Sequence, residues 1–168
     1  MIQVYTGNGK GKTTAALGLA LRARGHGLKV IIIQFMKGSR EYGEVKAAER
    51  FGIELHQFGL ESFVKKGDPS AEDLRLAREG FEFAKKTLAE GDFDIVILDE
   101  INVAADYGLI ETGEVLTLVE KAPPEIELIL TGRYAAPEII DAADLVTEMK
   151  EVKHPYSKGI PARMGIDF

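Results

Sequence analysis

The sequence predicts an α/β fold: a mainly parallel six-stranded sheet with helices on both faces and a phosphate-binding loop after the first strand. Three observations carry this. A short apolar run at residues 2–5 enters a glycine-rich turn that opens directly into an alanine- and leucine-rich stretch with helical spacing. Residues 29–35 are almost all β-branched or aromatic, and 94–98 are nearly as apolar. Strands without a polar face are buried on both sides, which means a parallel sheet covered by helices. Strand-like and helix-like periods then alternate to the end of the chain.

The first strand ends at Thr6-Gly7-Asn8-Gly9-Lys10-Gly11-Lys12-Thr13-Thr14. Glycines let backbone N–H groups turn inward, the following helix offers its positive end, and a lysine adds a full charge, so together they cradle an anion. Gly7, Asn8, Gly9, Lys10, Gly11, Lys12, Thr13 and Thr14 are therefore the candidate nucleotide-binding residues. Lys12 touches the phosphates, and the Thr13 hydroxyl goes to a magnesium ion. The glycine usual at the head of such a loop is here Thr6. Either threonine substitutes in a full-length loop, or the loop from Gly7 is one residue short; the plain alternative is a tight structural turn.

Ala15, Ala16, Leu19, Ala20 and Ala23 recur at helical spacing until Gly25-His26-Gly27 stops the helix, with His26 read as a solvated cap rather than a ligand. The strand at 29–35 runs into Gln34-Phe35-Met36-Lys37-Gly38. Strand C-termini are where open α/β sheets hold ligands, so Gln34 and Lys37 are candidates, against a simple solvated strand end. A helix at 42–51 and a third strand at 53–58 lead into an irregular stretch, 59–69, holding Leu60, Phe63, Val64 and the pair Lys65-Lys66. Apolar residues in a surface loop suggest a lid or a partner contact, or a loop packed on its own core. Ser70 with Asp73 reads as a capping box, and Leu74, Ala77, Phe81, Ala84 and Leu88 as the core stripe of a helix closed by Gly91.

Residues 94–100 carry Asp99 to the tip of a buried strand, where it would meet Thr13 across a magnesium ion. Glu100 is open to three roles: a base, a residue supporting the metal, or a helix cap. A helix at 111–121 and a strand at 126–131 precede Arg133, read as a phosphate or substrate contact rather than a surface ion pair. A short helix at 137–143, a sixth strand at 144–149 and an irregular tail follow; His154 and Arg163 of the tail are further candidates to face the ligand.

With 168 residues, 45% of them hydrophobic and 29% charged, the expectation is one globular domain, 1–168. No apolar run is long enough to span a membrane, and no leader precedes the first strand, so the expected location is cytoplasmic. Zero cysteines excludes disulfides, thiolate metal sites and cysteine nucleophiles. A net charge of −6 argues against nucleic acid as a main partner. No Asn-Lys-x-Asp motif occurs, which argues against a GTPase.

Taken together, T-G-N-G-K-G-K-T-T-A-A (6–16), Q-F-M-K-G (34–38), V-I-L-D-E (96–100), L-T-G-R (130–133), A-D-L-V-T-E-M (143–149) and K-H-P with G-I-P-A-R-M-G-I-D (153–167) resemble the ATP:corrinoid adenosyltransferases of the CobA type, nearly end to end. The resemblance implies a RecA-like phosphate-loop NTPase fold, a homodimer, and transfer of the adenosyl group of ATP to Co(I) of a corrinoid, with triphosphate leaving. It implies that ATP lies reversed relative to most phosphate-loop enzymes. The nucleophile arrives with the substrate, so no catalytic base is needed. Lys12 and Arg133 become the catalytic pair, and Mg²⁺ on Thr13 and an acid of Asp99-Glu100 helps neutralise the leaving group. An electron-donor protein supplying Co(I) is a further implied partner. The chain departs from the family pattern twice. It lacks the N-terminal extension that often helps cover the site, which leaves the mode of closure open. Gly59-Leu60-Glu61-Ser62 also stand where Gly-Phe-Thr-Trp is usual, with no aromatic until Phe63, which leaves the corrinoid preference open. The competing classes are a RecA-like ATPase or small-molecule kinase with Glu100 as base, and a nucleotide-sensing module.

Overall fold

A computed structural model describes residues 1–167. Six strands, β1 (Ile2–Thr6), β2 (Val30–Phe35), β3 (Glu54–Phe58), β4 (Ile95–Asp99), β5 (Glu127–Thr131) and β6 (Leu145–Glu148), form one sheet in the order β3-β2-β4-β5-β1-β6. Every pairing is parallel. All residues of β2 and β4 are buried, which is why neither strand shows polar alternation.

Successive side chains divide between two cores, as the strand period requires. Ile31, Ile33, Val96, Leu98, Leu128 and Leu130 face one side, where α3 (Ala71–Glu90), α4 (Ile101–Asp106), α5 (Thr112–Glu120) and α6 (Pro137–Ala142) pack. Val30, Ile32, Ile95, Ile97 and Ile129 face the other, under α1 (Lys12–Gly25) and α2 (Gly43–Phe51). Ala16, Ala20 and Ala23 of α1 and Ala48 of α2 make that contact, so small side chains let both helices lie close to the sheet.

Local signals hold with one exception. Ser70 caps α3 reciprocally: its Oγ accepts from the Asp73 amide at 3.1 Å, and Asp73 Oδ2 accepts from the Ser70 amide at 2.9 Å. Ala77, Phe81, Ala84 and Leu88 are buried, but Leu74 is 41% exposed, so the core stripe begins one turn later than its spacing suggests. The six-residue α4 follows the acid-bearing strand with Glu100 at its N-cap, one of the roles left open for that residue, though the Glu100 side chain makes no capping hydrogen bond; one and a half turns are too few to show a period. β6 is an edge strand with all four residues exposed. Among the described residues no helix is long and apolar enough to cross a membrane.

Candidate functional site

The C-terminal ends of the parallel strands open on a cleft of about 870 Å³, within the range of small-molecule sites. Three non-glycine residues in the described chain have left-handed backbone: Met36 (φ 59), Glu100 (φ 65) and Tyr134 (φ 61). They follow β2, β4 and β5, and all three line the cleft. Such conformations cost about 1–3 kcal/mol each and persist where the surroundings hold them, so backbone strain gathers on the rim of this cleft.

One wall is the glycine-rich loop. Thr6 is still strand, in register with Glu148, and the chain turns at Gly7 (φ 91) and again at Gly11 (φ 121). The edge strand straps the near arm: the Met149 amide donates to Thr6 O at 2.8 Å, and the Gly9 amide donates to Met149 O at 2.6 Å. A Cβ on Gly7 or Gly9 would lie 2.5 or 2.6 Å from that carbonyl, so only glycine fits. Lys12 is buried, and its Nζ donates to Gly7 O and Gly9 O, both at 2.8 Å. Burial lowers its pKa; Glu100 and Asp99 oppose this, and Arg133 adds to it. Among the described residues, the amides of Lys10, Gly11, Lys12, Thr13 and Thr14 donate to no protein acceptor. They stand at the positive end of α1, as an anion cradle requires.

Behind the loop lies a buried carboxylate network. Asp99 Oδ1 accepts from Thr13 Oγ1 at 2.9 Å and Thr131 Oγ1 at 2.7 Å. Asp99 Oδ2 accepts from Gln34 Nε2 at 2.9 Å and Lys37 Nζ at 2.7 Å. Gln34 is itself oriented by Gln57, whose Nε2 donates to Gln34 Oε1 at 3.0 Å. Burial alone would raise the Asp99 carboxyl, but the charge and hydrogen bond of Lys37, with the two threonine hydroxyls, hold it below the usual carboxylate range. Lys37 is pushed the opposite way: desolvation is outweighed by Asp99, Glu100 and Glu44, and it stays an ammonium. Thr131 also accepts from the Glu100 amide at 3.0 Å. The Glu100 side chain accepts no hydrogen bond among the described residues; burial and Asp99 raise its pKa, while Lys37, Lys12 and Arg133 pull it down.

Lys10, Lys12, Thr13, Thr14, Glu100, Arg133 and His154 thus line one cleft with Gly9 and Gly11. Asp99 and Gln34 lie beneath it, completely buried, and neither is a solvated strand end. Gly7 and Asn8 do not line the cleft: Gly7 lends a carbonyl to Lys12, and Asn8 is exposed. Arg163 does not line it either; its Nε is bonded to Asp167 at 3.1 Å. His26 is an exposed cap. Thr131 was missed by sequence reasoning. Its one signal is a hydroxyl at the end of an apolar strand, and its partner became evident only with β5 lying between β1 and β4. A second set of lining residues, Phe63, Val64, Tyr107, Tyr134 and Tyr156, is apolar and aromatic and forms the aromatic wall of the same cleft.

The chain matches the family described as ATP:corrinoid adenosyltransferase BtuR/CobO/CobP over residues 1–168. It is 39% identical to the corrinoid adenosyltransferase of Pseudomonas aeruginosa, over all of this chain and 83% of that one. It is also 39% identical to the Escherichia coli K12 enzyme of the same name and 38% identical to corrinoid adenosyltransferase CobA of Salmonella typhimurium, in both cases over all of this chain and 85% of the relative. Among solved structures, a KaiC-like protein of Pyrococcus horikoshii superposes with a TM-score of 0.56 at 17% identity, covering 88% of this chain and 71% of that one. The sheet and this neighbour together make the fold RecA-like.

Proposed function

The chain belongs to the ATP:corrinoid adenosyltransferase family, and from that premise we propose that it transfers the 5′-deoxyadenosyl group of ATP to Co(I) of a corrinoid. A Co–C5′ bond forms as the C5′–O5′ bond breaks, and the electron pair of that bond leaves with triphosphate. The carrying observation is the cleft's mixed lining: free amides and cations together with aromatic and apolar side chains. The first suits the leaving polyphosphate. The second suits a large, flat, largely apolar co-substrate.

Lys12 and Arg133 face charge that grows on the triphosphate as it departs, where fixed donors are worth most. Positioning does the rest, since the attacking atom belongs to the second substrate. Magnesium fits the residues present. Thr13 donates its proton to Asp99, which leaves its oxygen lone pairs for a cation, and Glu100 offers a carboxylate free of hydrogen bonds. Among the described residues no group of three or more His, Cys, Asp or Glu side chains forms a metal cage; Mg²⁺ bound through phosphates needs only one or two protein ligands. When bound, the ion supplies positive charge to the leaving group. Asp99, with both oxygens taken twice, orients Thr13 from below.

Residues 1–168 act as one adenosyltransferase domain in this account. A homodimer is supported by the exposed apolar side chains of β6 and the tail, among them Leu145, Val146, Val152, Met164 and Ile166. The family resemblance implies an electron-donor protein that supplies Co(I), and the setting proposed is the cytoplasm.

The test is to incubate the protein with MgATP and chemically reduced cobalamin, record the corrinoid spectrum and identify the phosphate product. Adenosylcobalamin and triphosphate in equal amounts are expected. ADP and phosphate with no cobalt–carbon bond would overturn the assignment.

A further inference from the structure

The loop at 59–69 is anchored at its start and free in its middle. A Cβ on Gly59 would lie 2.3 Å from the Lys37 amide, and one on Gly38 2.3 Å from Gly59 O, so the loop's first residue packs backbone to backbone against the strand end after β2. Four residues on, Phe63 is 99% exposed, yet it lines the cleft with Val64. Isolated Phe on a surface loop has nothing of its own to fix it.

The adjacent lysines differ in what they hold. Lys65 bonds within the loop, to Asp68 Oδ2 at 3.3 Å. Lys66 leaves the loop: its Nζ donates to Asp106 Oδ2 at 2.6 Å, and lies 5.6 Å from the ring centre of Tyr107 and 5.3 Å from that of Tyr134. Both distances are within cation–π range. Asp106 and Tyr107 end α4, while Tyr134 sits in the turn that bears Arg133, with its backbone in the left-handed region. One ammonium therefore joins three segments of the aromatic wall. Asp106 neutralises it, so it adds no free charge to an apolar surface.

We propose that Lys66 is a positioning residue for the second substrate: it fastens the Phe63 loop to Tyr107 and Tyr134 and so sets the affinity for the corrinoid, independently of the triphosphate wall. This rests on the function proposed above. An ion pair and two cation–π contacts at a partly exposed site correspond to about a five- to tenfold effect on affinity.

The experiment compares Lys66→Met, Lys66→Arg and Lys65→Met with the parent chain. Initial rates are measured while MgATP and chemically reduced cobalamin are varied separately, and chymotryptic cleavage after Phe63 is timed without either substrate. Lys66→Met should raise KM for cobalamin about five- to tenfold, leave KM for ATP within about twofold, and speed cleavage. Lys66→Arg should restore both readouts, because a guanidinium also pairs with a carboxylate and stacks on aromatic rings. Lys65→Met should behave as the parent. An unchanged KM for cobalamin in an active Lys66→Met protein overturns the inference alone, as does an equal rise in both KM values. A parent chain that forms no adenosylcobalamin overturns the proposed function and this inference with it.

Discussion

The two walls of the cleft are built to different standards. On the phosphate side the groups behind the free amides are braced: Lys12 by two carbonyls, Asp99 by four donors, the Glu100 amide by Thr131. On the aromatic side Phe63 is almost wholly exposed, Tyr134 and Tyr156 are largely so, and the tie identified above is a single surface lysine. Anion recognition depends on donors already aimed and dehydrated, since reorganising them during the reaction would consume the stabilisation they provide. A flat apolar partner gains mainly from contact area, which a yielding surface can supply.

The contrast can be broken first at its most buried point. Asp99→Asn removes the bonded countercharge of Lys37, which keeps an ion pair with Glu44 at 3.6 Å and the more distant charge of Glu100. A loss of about 3 kcal/mol in unfolding free energy is expected, the low end for a broken buried pair, read from urea midpoints. Lys66→Met, by contrast, should lower the unfolding free energy by no more than about 1 kcal/mol. Next comes Lys12→Met, expected to lower the single-turnover rate of adenosyl transfer about a hundredfold to a thousandfold while cobalamin binding is kept. A loss of cobalamin binding would mean that the walls are not separable.

Gly9→Ala tests the strap on the loop. Its Cβ would meet Met149 O at 2.6 Å, and the strain of relieving that contact corresponds to roughly a tenfold rise in KM for ATP. Steady-state kinetics check it, with KM for cobalamin as the internal control. The smallest effect belongs to the aromatic wall: Phe63→Ala should raise KM for cobalamin by about three- to tenfold with ATP kinetics unchanged. An effect on ATP binding as large as that of Gly9→Ala would erase the distinction between the walls.

What could be read from the chain alone follows the same division. The phosphate loop, the strand carrying Asp99 and the capping box at Ser70 are local patterns, in which the residues that interact are neighbours in sequence or stand at strand ends. Gln34 and Lys37 could be placed at the right edge of the sheet but not joined to Asp99, because that bond requires β2 and β4 to be adjacent. Thr131 needed the insertion of β5 between β1 and β4. Asn8 sits within the motif yet is exposed and does not line the cleft. Lys66 could be placed in a candidate lid but not joined to its partners, which lie 40 or more positions away on segments with no motif of their own.

The sheet does not stop at the phosphate loop. Through Met149, its outermost and most solvated strand continues along the loop as far as Gly9, so the nucleotide seat and the segment after Glu148 share one run of backbone. A tug on that segment reaches the nucleotide seat before any helix feels it. Fraying of this border strand, on its own or when an interface forms along it, would thus tune how firmly ATP is gripped from a place no substrate touches.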